Sequence, residues 1–209
     1  MTTHKAGARF KALPVMLLAM AGLLPGCAAP PATKAPPYVA PTSGPTARLV
    51  MRSSSLPPSE AYGVLVHDDA SNCKGPRLAG AGNATRNPTT VALVAGSLAT
   101  VDFVLVKNSK TEKPQVCLLR WSFTPEAGKS YLVQGTSTAA GCTARLLDAT
   151  NPDAMRLPGG TVRRNIQGQA CVPMAQAQAA ANAVGGQSDG AAVLRPAATT
   201  DALQGLIGK

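Results

Sequence analysis

The chain has 209 residues and 45% hydrophobic residues, enough for one domain or a small pair. Its formal charge is +10. The cations stand singly, apart from Arg163-Arg164, which excludes the clustered basic face of a nucleic-acid binder. What remains is solubility and a general attraction to anionic envelope polymers. Aromatic residues make up only 3% of the chain, and Tyr62, Phe103, Trp121, Phe123 and Tyr131 all fall in its middle. Large rings dominate the burial of small cores, so the core is expected between Ala47 and Cys171.

In chain order, the first element is a leader. Residues 1–11 hold Lys5, Arg9 and Lys11 and no acid, and an apolar run from Ala12 to Leu24 follows, interrupted by Pro14 and Gly22. A positive start followed by a short apolar run is the layout of a secretory signal. The run is shorter than the roughly 20 apolar residues that span a bilayer. Removing the leader lowers the charge from +10 to +7, since every acid lies downstream.

Leu24-Pro25-Gly26-Cys27 comes next. It resembles the lipobox of bacterial lipoproteins, with Leu first, a small residue third and then the modified Cys. The resemblance covers residues 1–27 only. It implies a thioether-linked diacylglycerol on the Cys27 thiol and cleavage between Gly26 and Cys27. With Pro25 the sequence departs from the usual Ala, Ser or Thr of that motif. Ala28, not Asp, stands at the second mature position, so the resemblance implies the outer membrane if the organism has one. Cleavage by ordinary signal peptidase after Ala28 is the alternative, and it would release a soluble periplasmic protein. Each acyl methylene buried in the membrane contributes about 0.8 kcal/mol.

From Ala28 to Thr46 six prolines favour polyproline II. This stretch reads as a spacer between lipid and domain, with a reach on the order of 60 Å.

The middle of the chain has a period of two, the mark of half-buried strands. Seven segments show it: Ala47–Arg52, Tyr62–Val66, Thr89–Val94, Val101–Leu105, Cys117–Phe123, Tyr131–Val133 and Cys142–Leu146. Turn signals separate them at Leu56-Pro57-Pro58, Asp68 to Gly75, Ala95-Gly96, Asn108 to Pro114, Pro125 to Gly128 and Ala139 to Gly141. The expected fold is mainly β, a single small antiparallel sandwich or barrel-like domain spanning 47–171. The short connections after Val94 and Phe123 read as hairpins. An outer-membrane barrel would need longer strands and aromatic girdles.

After Cys171, Ala, Gln and Gly dominate and no aromatic residue occurs. Residues 172–209 therefore read as a flexible tail. Met174 to Val184 suits a transient helix, and Asp201 to Ile207, capped by Thr200, suits a second.

The mature chain keeps Cys73, Cys117, Cys142 and Cys171, which in an exported domain read as two disulfides. Four cysteines allow three pairings. The sequence does not choose among them, and Cys73–Cys117 with Cys142–Cys171 is the one preferred. The wide spacings do not suit a zinc site, and no cofactor motif is present.

His67 is the sole histidine after the leader. Its neighbours Asp68 and Asp69 are adjacent in sequence, and adjacent strand residues point to opposite faces. The run His67-Asp68-Asp69 therefore reads as the end of a strand and the start of a polar turn, not as a catalytic pair. Asp68, Asp69 and Asp102 could furnish the two carboxylates of a glycosidase, but no nucleophile elbow or metalloprotease motif accompanies them. Trp121 shares a face with Cys117, Leu119 and Phe123, which favours a core role over a sugar platform.

The expected function is a non-enzymatic binding or bracing module, held in the cell envelope by lipid on Cys27. Its partners would be the membrane and an envelope protein or polymer, without nucleic acid. A periplasmic hydrolase inhibitor is the alternative, with its reactive loop at Asp68 to Gly82 or Lys107 to Lys113. An envelope hydrolase is the remote one.

Overall fold

The computed structural model describes residues 35–54, 56–108, 114–165, 171–183, 189–193 and 195–196, with backbone alone for the last two stretches. Among these residues the strands are β1 Thr46–Ser54, β2 Glu60–Asp69, β3 Lys74–Asn83, β4 Thr89–Val94, β5 Ala99–Lys107, β6 Gln115–Phe123, β7 Ser130–Ser137, β8 Gly141–Asp148, β9 Val162–Arg163, β10 Asp189–Val193 and β11 Arg195–Pro196. One helix, α1, covers Met174–Ala183.

The strands form two sheets, an open sandwich and not a closed barrel. The first runs in the order β10-β8-β7-β1-β4 and the second β11-β6-β5-β2-β3, with β9 alongside β6. Neighbours are antiparallel except β1 and β7, which are parallel, with Leu49 opposite Tyr131.

Alternation explains which side of each strand is buried. In β1, Ala47, Leu49 and Met51 are buried and Arg48 and Arg52 exposed. The core lies between the sheets. Leu49, Met51, Tyr131, Val133 and Leu146 of the first sheet meet Tyr62, Val64, Val101, Phe103, Leu119, Trp121 and Phe123 of the second. A large apolar side chain fully buried in this way contributes about 1.5–3 kcal/mol. Tyr38, which lies outside the middle segment, packs against the same core.

Gly135 in β7 is where the two sheets approach closely. A Cβ there would overlap the Phe103 ring. Gly135→Ala should therefore cost about 1–3 kcal/mol through overpacking. Urea unfolding checks this: the midpoint should fall and the slope should stay the same.

Four expectations are corrected. The connections after Val94 and Phe123 are not hairpins. Strand β4 pairs with β1 and β5 with β2 and β6, so the link between β4 and β5 crosses between sheets. Likewise β6 pairs with β5, β9 and β11, while β7 pairs with β1 and β8. The rings of Phe123 and Tyr131 meet edge to face at 5.0 Å across the core, so their apolar alternation records packing between sheets and not pairing within one.

Strand β3 went unread in the sequence because its Gly, Ala and Pro content weakens any periodicity. The spacer is shorter than expected. Tyr38 N donates to Leu78 O and Leu78 N donates to Pro36 O, so residues 36–38 lie against the edge of β3. Ala35 packs beside Leu65, Val104 and Val106.

The tail is ordered through Pro196 in its described parts. Helix α1 buries Ala177 and Ala181 against Val162 and Val172. Its Ala and Gln content suits a helix, and Ala177 N reaches back to Pro173 O. Strand β10 then adds to β8. The expected helix over Asp201 to Ile207 lies outside the described residues. Among those described, no helix is long and apolar enough to cross a membrane.

Candidate functional site

Ionisable groups converge on the outer face of the second sheet, the side turned away from the sandwich core. The register sets Leu65, Asp102 and Arg120 side by side on β2, β5 and β6. The next row holds Thr100 opposite Ser122, and His67 sits one step beyond the Val66–Val101 pair. Asp102 and Ser122 are wholly buried, and His67 and Arg120 nearly so.

Arg120 grips Asp102 with two bonds, Nε to Oδ1 and Nη2 to Oδ2, each 2.5 Å. His67 Nε2 lies 3.0 Å from Asp102 Oδ2. Burial pushes the Asp102 carboxyl up, but the Arg120 and His67 contacts outweigh it and hold it below its ordinary value.

A second cation lies beneath the same cover. Arg164 is completely buried. Its guanidinium donates to Val172 O at 2.8 Å, Ser122 Oγ at 2.8 Å and Ser71 O at 2.6 Å, with a longer contact to Ala70 O at 3.3 Å. Loss of solvent, followed by the neighbouring Arg120 charge, lowers its pKa. Arg164 thereby joins the turn after β2, the strand β6 and the segment leading into α1. That segment is also bound covalently, through Cys73–Cys171.

The parts of a general base are present, since a carboxylate contacts an imidazole and hydroxyls stand in the next row. Their surroundings argue for a structural role. Thr100 Oγ1 reaches Ala70 O and Ser122 Oγ at 2.6 Å each, and Arg164 donates to Ser122 Oγ. Thr100, Ser122 and Arg164 satisfy one another beneath a covering segment, while His67 Nδ1 is buried without a hydrogen-bond partner among the described residues. A substrate would have to displace that segment first.

The run His67-Asp68-Asp69 does end strand β2, with the turn following at Ala70, but the His67 ring is buried. Its acid partner is Asp102, from another strand, and not either neighbour in sequence. Asp68 pairs with Arg77 at the surface, while Asp69 caps the turn at Asn72. The signal for this cluster was a polar residue at matching positions of two strands, Asp102 in β5 and Arg120 in β6, and it becomes visible only once those strands are paired.

The disulfides are Cys73–Cys171 and Cys117–Cys142, so the preferred pairing is corrected. Cys117 and Cys142 face the core from opposite sheets and meet there, while Cys73 and Cys171 join two loops. Trp121 is wholly buried in the core. Much of the Asp68 to Gly82 region is strand β3, leaving a short turn at Ala70 to Cys73 of which Ser71 and Asn72 are exposed. Of Lys107 to Lys113, residues 109–113 lie outside the described residues, as does Cys27.

Open clefts occur among the described residues. One, of about 470 Å³, lies between Leu157–Thr161 and Gln178, Ala181 and Asn182, and no ionisable side chain lines it. Another, of about 240 Å³, holds Lys129, Asp148 and Arg156, and Lys129 is committed to Glu126 and Asp148.

The outer face of the first sheet is different. Arg48, Arg52 and Arg145 stand exposed there around a row formed by Val50, Leu132 and Leu147. Arg52 donates to Gln134 Oε1 at 2.9 Å. Asp189 of β10 stands opposite Arg145 in the register, while no acid occupies an outward position of β1, β4, β7 or β8. Fold and site together define a disulfide-bonded β-sandwich with one covered and one open outer face. No protein family, curated protein or solved structure matches the chain.

Proposed function

We propose that the chain is a lipid-anchored envelope protein whose sandwich binds or braces a partner and performs no catalysis. One observation carries the reading: the two outer faces are treated oppositely. The face holding the sole mature histidine is covered by residues 161–165 and 171–183 and by the N-terminal stretch at Ala35. Among the described residues, the face holding Arg48 and Arg52 leaves both of these cations exposed. Its cations and low apolar row suit an acidic protein or polymer of the envelope.

The lipid anchor rests on the leader and on Leu24-Pro25-Gly26-Cys27. Seven residues separate Cys27 from Ala35. Even as polyproline II that stretch spans only about 25 Å, which would hold the domain close to the membrane.

Two measurements test the proposal. Intact mass spectrometry should find a chain beginning at acylated Cys27, and Cys27→Ser should leave the membrane fraction. A mature chain starting at Ala29 without acyl mass would refute the anchor. Affinity purification from detergent-solubilised envelopes should recover a partner with the wild type and lose it with Arg48→Glu/Arg52→Glu. Undiminished recovery by that folded variant would refute the open face as the binding surface.

A further inference from the structure

The edges of the two sheets are protected unequally. Proteins commonly guard exposed edges with charge, proline, bulges or covering segments. The edge at β3 carries Lys74, Pro76 and Arg77, and residues 36–38 bond along it. On the opposite side of the sandwich, successive strands β10 and β11 pair with β8 of one sheet and β6 of the other. One chain segment thus runs along both edges there.

Among the described residues, strand β4 has none of these devices. Its sequence is Thr-Thr-Val-Ala-Leu-Val, and its register with β1 is continuous from Thr46–Val94 to Met51–Thr89. No charged residue occurs between Asn87 and Val101. Among the described residues β4 has a strand partner on one side only. Val94 is also one of the few large apolar side chains left exposed.

The hydrogen-bonding groups of this edge can be assigned. Ala95 N donates to Pro45 O, one step beyond the Thr46–Val94 pair. Antiparallel ladders alternate between bonded and non-bonded pairs. Thr89, Val91 and Leu93 therefore turn their backbone groups toward β1, and Thr90, Ala92 and Val94 turn theirs outward. Arg48 agrees with this: it stands opposite Ala92 and sends its N–H the other way, to Lys129 O.

We propose that β4 pairs antiparallel with β4 of a second copy about a twofold axis at Ala92, joining two five-stranded sheets into one. With Ala92 opposite Ala92, Thr90 falls opposite Val94 of the other copy. Every outward N–H and C=O of the three residues then finds a partner. Side chains keep their faces: Thr90 covers Val94 on the outside, and Val91 meets Leu93 on the core side. With the axis at Val91 or Leu93 only two of the three outward residues face each other, Thr90 with Ala92 or Ala92 with Val94, and an axis between residues would oppose outward groups to inward ones. The axis at Ala92 is thus the register in which the edge satisfies all three of its outward residues, and with it an uncharged strand meets its own uncharged copy, which argues for a second copy over an unrelated peptide. Such an interface is small, so the pairing is weak in solution and strengthened wherever both copies share a surface. The inference does not depend on the lipid anchor.

The test is crosslinking of the full-length chain expressed with its leader. Opposed residues of a bonded antiparallel pair have Cα atoms about 5.5 Å apart, within disulfide reach. Ala92→Cys treated with copper phenanthroline should give a covalent dimer on a non-reducing gel. Thr90→Cys, which faces Val94, should give about tenfold less. Sedimentation of the detergent-purified protein supplies a second readout. Ala92→Glu should weaken self-association about tenfold by setting like charges opposite one another, with its melting unchanged because the new carboxylate lies beside exposed Arg48. Equal crosslinking by Ala92→Cys and Thr90→Cys would overturn the pairing. So would a wild type that stays monomeric at every concentration up to about 1 mM.

Discussion

Asp102→Asn is expected to lower the stability of the domain by about 3–5 kcal/mol, the range for removing one member of a buried ion pair. Asp102 lies wholly out of solvent between Arg120 and His67, so the substitution strips the negative charge facing two basic groups where water cannot replace it. The surface pair Asp68–Arg77 is the control. Both of its side chains are more than a third exposed, and Asp68→Asn should cost less than about 1 kcal/mol. Urea unfolding of both variants at neutral pH decides the matter, and equal losses would refute a stabilising role for the buried cluster. The same group sets an acid limit. The folded Asp102 pKa is depressed, so its contribution is fully present above the unfolded value of about 3.9. It is lost as pH falls through the depressed folded value. The wild type should accordingly lose stability below about pH 4 more steeply than Asp102→Asn. His67→Ala should lower the melting temperature, while membrane association and partner recovery stay intact.

The second large effect belongs to Cys73–Cys171. Its sequence separation is 98 residues, and closing a loop of that size is worth about 4–5 kcal/mol by chain entropy. The bond also fixes the segment from Cys171 to Ala183 over the outer face of the second sheet. A Cys73→Ser/Cys171→Ser variant should lose most of that stability and become open to trypsin at Arg163 and Arg164, which are now half-buried and buried. Cys117–Cys142 closes only 25 residues, for which the same relation gives about 3.5 kcal/mol. Thiol titration of the unfolded, unreduced wild type should find none of the four free. A loss below about 1 kcal/mol in the double variant, with trypsin resistance kept, would show that packing alone holds the segment.

Much of the β content was legible in the sequence. The alternation of Ala47, Leu49 and Met51 and of Leu119, Trp121 and Phe123 places β1 and β6 directly, because side chains alternate across a strand whatever lies beside it. The glycine turns at Gly96 and Gly128 have positive φ, as their turn signals imply. Strand β3 escaped because Gly80, Ala81 and Gly82 carry almost no apolar contrast. Even there a reason for the small side chains exists, since a Cβ on Gly82 would overlap the Tyr62 ring. The order after Cys171 was hidden because Ala177 and Ala181 bury little surface each. Their burial depends on Val162 and Val172, which belong to another part of the chain.

The sequence by itself determined the class of fold, the core rings, the presence of two disulfides among four cysteines and the helical bias of residues 174–183. These follow from properties of single residues and from the period of one strand. Only the tertiary structure decided that β1 runs parallel to β7, that the links after Val94 and Phe123 cross between sheets, and that Cys117 meets Cys142. It also brought His67, Asp102 and Arg120 together. Each of these outcomes depends on which distant strands become neighbours. That choice is made by the collective burial of two sheet faces against the entropy of closing the loops between them, and no local pattern records it. A one-residue change in register would have sent Asp102 into the apolar core and Phe103 to the outer face.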